Sequence, residues 1–155
     1  MQAEPIFAAT LTPHNALSAT GLRNVMIVFA GLAALPSLIF FQLGAWPILG
    51  FMGLDILLVW WALSASRRAG RRFEEVTLWS DALEIRQVSA AGAENHERFN
   101  PFYVRLVIER DYDERTTALR LRTRERELEI GAFLNPEDKA SFAKVFGSAL
   151  RKARG

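Results

Sequence analysis

The chain has 155 residues and a formal net charge of +2, and half of its residues are hydrophobic while 23% are charged. So small a net charge gives no footprint for nucleic acid. The absence of cysteine excludes disulfides, thiolate catalysis and cysteine-based zinc sites.

The charge is segregated. Asp55 is the only ionisable residue between Asn24 and Ser66, and every basic residue except Arg23 lies from Arg67 onward. One part of the chain is suited to lipid and the other to water. The first residues carry Glu4, Pro5, Pro13 and His14 without a basic start, so they do not resemble a signal peptide. Residues 1–22 are read as a cytoplasmic N-terminal segment. Within it Ile6 to Leu11 is a candidate strand, a turn follows at Thr12-Pro13-His14, and the approach to the membrane begins at Leu17.

Val25 to Leu43 is an apolar run interrupted only by Gly31, Pro36, Ser37 and Gln42. At the helical rise it reaches about 28 Å, close to the hydrocarbon thickness of a bilayer. Trp46 to Ala65 is a second such run, separated from the first by Gly44 and Ala45. So short a link predicts an antiparallel transmembrane hairpin over 23–66, with helices at about 24–43 and 46–66. Arg67, Arg68, Arg71 and Arg72 follow the second helix and Arg23 precedes the first, while the turn is uncharged. The positive-inside rule then predicts both termini in the cytoplasm, and the same four arginines suit anionic headgroups. Trp46, Trp60 and Trp61 are candidate interfacial anchors at the two faces.

Asp55 falls near mid-membrane, where a carboxyl is expected to be protonated or paired. With the turn centred between Gly44 and Ala45, Asp55 is expected at the level of Ala34. Pro36 lacks an N–H, so the Leu32 carbonyl loses its helical donor. The spacing predicts a polar contact in which Asp55 donates to the Leu32 carbonyl or to Ser37. Such a contact clamps the hairpin or a partner helix. A proton relay needs several ionisable groups in series.

After the arginines the pattern changes to period two. Val76 and Leu78, Leu83 and Ile85, Val104 with Leu106 and Ile108, Leu119 and Leu121, and Leu128 with Ile130 each alternate with polar or solvent-facing neighbours. Turns are marked at Ser80-Asp81, Ala91-Gly92, Asn100-Pro101, Asp111-Tyr112-Asp113 and Thr123 to Glu125. The arginines in these strands read as a solvated face, and the acidic group Glu109, Asp111, Asp113 and Glu114 as a hairpin turn. Asn135 as N-cap and Pro136 in the first turn predict a C-terminal helix over 136–153, with an apolar stripe of Phe142, Val145, Phe146, Ala149 and Leu150. The fold class expected is therefore a membrane α-helical hairpin plus an α+β soluble domain over 67–155. That domain is an antiparallel β meander resembling a pleckstrin-homology-like roll, closed by the C-terminal helix.

No catalytic constellation, phosphate loop or metal-ligand spacing is present in the sequence, and His14 and His96 lie far apart. No cofactor, metal or catalytic residue is expected.

Leu11-Thr12-Pro13-His14, then Gly44-Ala45-Trp46-Pro47 running into Gly50-Phe51-Met52-Gly53-Leu54-Asp55, resemble a proteobacterial family of small integral membrane proteins, domain of unknown function 2244. Glu74-Glu75-Val76, Phe99-Asn100-Pro101 and Ile130-Gly131-Ala132-Phe133-Leu134 extend the resemblance over nearly the whole chain. It implies a bacterial inner-membrane location and carries no activity. The expected function is a non-catalytic accessory, scaffold or assembly component of a larger membrane complex, with lipids and a partner membrane protein as its contacts. The alternatives are a membrane-surface lipid-binding or sensing module, and an oligomeric transporter or enzyme using Asp55.

Overall fold

The computed structural model describes residues 4–14 and 18–155. The expected approach at Leu17 lies outside the described residues. The elements in order are β1 (Phe7–Leu11), α1 (Ala19–Gln42), α2 (Trp46–Ala69), β2 (Phe73–Leu78), β3 (Leu83–Val88), β4 (Glu94–Phe99), β5 (Arg105–Arg110), β6 (Thr116–Arg122), β7 (Glu127–Ile130) and α3 (Pro136–Ala153). They form two compact units. Residues 15–70 make the helical hairpin, and residues 1–14 join 71–155 in the second unit.

In the hairpin, Ser18 starts α1 by accepting the Gly21 N–H at 3.0 Å. Gly44 ends it at φ 72°, a left-handed conformation that costs glycine little. Pro47 sits in the first turn of α2, where its missing N–H leaves no bond unmade. Both helices have 24 residues, with mean hydropathy 2.1 and 1.9, and their apolar windows are not buried within the chain. Two helices that face outward with that composition are membrane spans in a chain of this size. They run beyond the expected 24–43 and 46–66. The Ser18 cap starts α1 earlier, and Arg67 and Arg68 prolong α2 because cations favour a helix C-terminus.

The second unit holds a four-stranded sheet, ordered β1-β2-β3-β4, and a three-stranded sheet, ordered β5-β6-β7, all antiparallel. With α3 they make the α+β layout expected from the alternating pattern. β1 pairs with β2 from Phe7↔Leu78 to Leu11↔Glu74. The helical hairpin is thus inserted between two strands that are neighbours in one sheet. β4 lacks the alternating apolar signal. Its residues Glu94 to Arg98 are polar, and its pairing with β3 supplies what its side chains do not. Val104, expected inside a strand, lies just before β5 and is fully buried.

Val76, Leu78, Leu83, Ile85, Leu119, Leu121, Ile130 and Phe146 form the centre of the core with almost no exposure. Each such side chain contributes about 1.5–3 kcal/mol by leaving water. Phe142 stacks on Phe146 at 5.3 Å between ring centroids, and Phe7 tilts against both. That trio ties β1 and α3 to one core.

Candidate functional site

The packed seam of the hairpin follows helical spacing. Leu49, Met52, Ile56, Val59 and Leu63 are half-buried apolar residues of α2, and Met26, Ala33, Ser37 and Phe40 match them on α1. Ser37 donates to the Ala33 carbonyl at 2.6 Å, and its hydroxyl lies 3.3 Å from Met52 Sδ. In an antiparallel pair the contact of residue 37 with residue 52 sets Asp55 opposite Ala34. That is the level expected from the turn.

The predicted polar contact is not formed. Asp55 is exposed, and among the described residues it makes no hydrogen bond to the Leu32 carbonyl or to Ser37. The reason is angular. Asp55 precedes the seam residue Ile56 by one helical step of about 100°, which carries its carboxyl to the flank of α2. The Ser37 hydroxyl donates to the Ala33 carbonyl, and its oxygen receives no bond from Asp55. Pro36 is half-buried, and Leu32 is exposed with its carbonyl deprived of the Pro36 donor.

The opposite flank holds a groove of about 470 Å³, lined by Arg23, Met26, Ile27, Ala30, Trp60 and Arg67 among others. Because that groove takes one side of the seam, Asp55 shares the other side with Leu32 and Pro36. The arginine cluster divides. Arg67 and Arg68 are the last turn of α2, whereas Arg71 and Arg72 open the second unit. The Arg72 guanidinium lies 5.1 Å from the Phe133 ring centroid. Trp46, Trp60 and Trp61 are all exposed.

A buried carboxylate, Glu74, is a site that the alternation of β2 indicates once it is extended back by one residue. Glu74 shares the inward face of Val76 and Leu78. It accepts the Gly131 N–H at 2.8 Å. Burial pushes its carboxyl above the ordinary value, opposed by the Gly131 N–H, Gln87 and Arg72.

The outer sheet faces carry crossed ion pairs. Arg86 bridges Glu75 and Glu94, both at 3.0 Å, and Arg120 bridges Glu109 at 3.0 Å and Glu127 at 3.1 Å. The Arg86 guanidinium holds the Glu94 carboxyl below its usual range, helped by His96. These are exposed cross-strand pairs, the solvated face that the arginine pattern suggests. At the acidic turn the Asp111 side chain accepts the N–H groups of Asp113 at 3.0 Å and Arg115 at 2.9 Å. It is spent on a hairpin turn. His14 and His96 each lie beside a carboxylate, Asp138 and Glu94. Among the described residues no group of three or more His, Asp or Glu side chains is placed to hold a metal ion.

No curated protein and no solved structure matches the chain. A family model described as integral membrane protein (DUF2244) matches residues 11–150. That span takes in the Leu11 end of β1, both apolar helices, the two sheets and most of α3. It includes Asp55, the arginine cluster and the Glu74–Gly131 pair. With a match over most of its length and two apolar helices of spanning length, the chain belongs to the DUF2244 family of integral membrane proteins.

Proposed function

We propose that this protein is a non-catalytic accessory, scaffold or assembly component of a larger complex in the bacterial inner membrane, with both termini in the cytoplasm. The observation that carries the reading is Asp55, an exposed acid on the flank of a spanning helix with no hydrogen-bond partner among the described residues. At mid-membrane an unpaired carboxyl costs about 2.5–3.5 kcal/mol on insertion scales. A partner helix that hydrogen-bonds it relieves that cost, and the Leu32 carbonyl on the same flank offers a second acceptor. The pairing of β1 with β2 supports the topology, because strands on either side of the hairpin need one compartment. The arginines at its two ends favour the cytoplasmic face.

Gentle detergent extraction followed by native mass spectrometry tests the reading. The expected result is a complex with another membrane protein that survives Asp55→Asn, whose amide still donates, and is lost in Asp55→Leu. A chain that migrates only as a free monomer, under conditions that keep other complexes whole, sinks it.

A second reading, lipid recognition at the membrane surface, draws on the groove where Arg23 and Arg67 flank Trp60. It predicts that replacing Arg23 and Arg67 by Gln removes co-purifying anionic lipid. Unchanged lipid content argues against it.

A further inference from the structure

We infer that the open edge of β5, with the flank of α3 beside it, is a docking groove for an extended acidic peptide segment of another protein. The segment adds to the three-stranded sheet as a further strand.

The outer strands of the two sheets are β1, β4, β5 and β7. Edge strands invite pairing, and charge or shortness usually blunts them. β4 is polar from Glu94 to Arg98, β7 has four residues with Glu127 and Glu129, and β1 has five. β5 has six residues and a central Leu106-Val107-Ile108 run. Ile108 is 40% exposed, and Leu106 and Val107 are half-buried. On its outer edge the β5 backbone has no partner among the described residues.

α3 runs alongside in the opposite direction. The Arg154 guanidinium donates to the Pro101 carbonyl at 2.8 Å and to the Val104 carbonyl, at the start of β5. A Cβ placed on Gly147 would stand 3.8 Å from Leu106 Cδ2. Helical spacing sets Ala140, Lys144 and Arg151 on the flank of Gly147. The two small residues leave room there, and the two cations are exposed.

The charge names the occupant. Arg86, Arg98, Arg120 and Arg122, on β3, β4 and β6, each pair with a carboxylate. Arg105 and Arg110 on β5, with Lys144 and Arg151 on α3, are exposed and in no ion pair among the described residues. A second copy docked edge to edge is disfavoured, because antiparallel β5 strands would set Arg105 of one near Arg110 of the other. A strand in which acidic and apolar residues alternate satisfies the backbone edge, sets its carboxylates on the α3 face toward Lys144 and Arg151, and lays its apolar side chains beside Val107 on the other face. This surface belongs to the second unit and stands independently of the Asp55 contact.

The test uses the full chain in nanodiscs and a panel of fluorescein-labelled peptides in which Glu or Asp alternates with Val, Ile or Leu. The expected result is saturable binding, with amide exchange slowed in β5. Lys144→Glu combined with Arg151→Glu should weaken binding at least tenfold while exchange in β2 and β3 stays as in the parent, and Arg124→Glu should leave affinity unchanged. Four results overturn the proposal: no peptide of the panel binding, affinity indifferent to the double variant, protection at β4 or β7 in place of β5, or protection of β5 that rises with protein concentration without peptide.

Discussion

The Glu74 carboxylate accepts the backbone N–H of Gly131 across 2.8 Å and so ties β2 to the turn that follows β7. The two residues are 57 positions apart, and the bond joins a strand of the four-stranded sheet to the turn after the last strand of the three-stranded one. The bond is buried, so each partner depends on the other for satisfaction.

Glu74 gives the unit a pH dependence of unusual sign for an acid. Burial raises its folded pKa above the ordinary 4.5, so the folded chain binds the proton more tightly than the unfolded chain. Its contribution to stability is fully present below 4.5 and is lost as pH rises through the raised value. Glu74→Gln keeps an acceptor for Gly131 and should flatten that slope. Glu74→Ala orphans the N–H and should cost about 1–3 kcal/mol. Hydrogen exchange of β6 and β7 amides across a pH series checks both, and a Glu74→Gln slope equal to the parent's contradicts the account.

Gly131 has φ 61°, and a Cβ there would come within 2.9 Å of Leu134 Cδ1. Gly131→Ala should therefore destabilise the unit by about 1–2 kcal/mol, from left-handed backbone strain and displacement of Leu134. Denaturant titration of the full chain in detergent reads the loss. A neutral outcome means the turn relaxes.

Arg154 pins the Asn100–Val104 turn through the Pro101 and Val104 carbonyls, and Asn100 accepts the Phe102 N–H at 3.0 Å. Arg154→Ala should cost about 1.5–3 kcal/mol, the range for hydrogen bonds to a charged group. Amide exchange at Phe102 to Val104 should quicken before any change in β2 or β3. Equal acceleration everywhere indicates global destabilisation instead.

The arginines after α2 are expected to hold the hairpin's orientation. Replacing Arg67, Arg68, Arg71 and Arg72 by Gln should leave a mixed population in reporter fusions to either terminus, while replacing Arg68 alone should not. A uniform orientation in the fourfold variant removes the topogenic role.

Much of this architecture is legible in the sequence because it follows from local periodicity. The apolar runs of the hairpin, the Gly44 turn, the alternation of β2, β3, β6 and β7 and the Asn135-Pro136 start of α3 are each visible within a few residues. Asn135 accepts the Asp138 N–H at 2.7 Å, as an N-cap should. β4 escapes that reading because an edge strand with polar side chains gets its order from the backbone of β3.

The level of Asp55 was likewise legible, since counting outward from a tight turn sets the register of two antiparallel helices. Its partner was not. A contact across helices depends on rotation about each axis, and a single step of about 100° separates the seam from its flank.

Sequence alone determined where lipid-facing and water-facing segments lie, because composition and period are local properties of the chain. Tertiary structure decided which distant residues meet: β1 with β2 around the inserted hairpin, Glu74 with Gly131, and Arg154 with the turn before β5. Those pairings depend on how elements fold back in space, which no local pattern records.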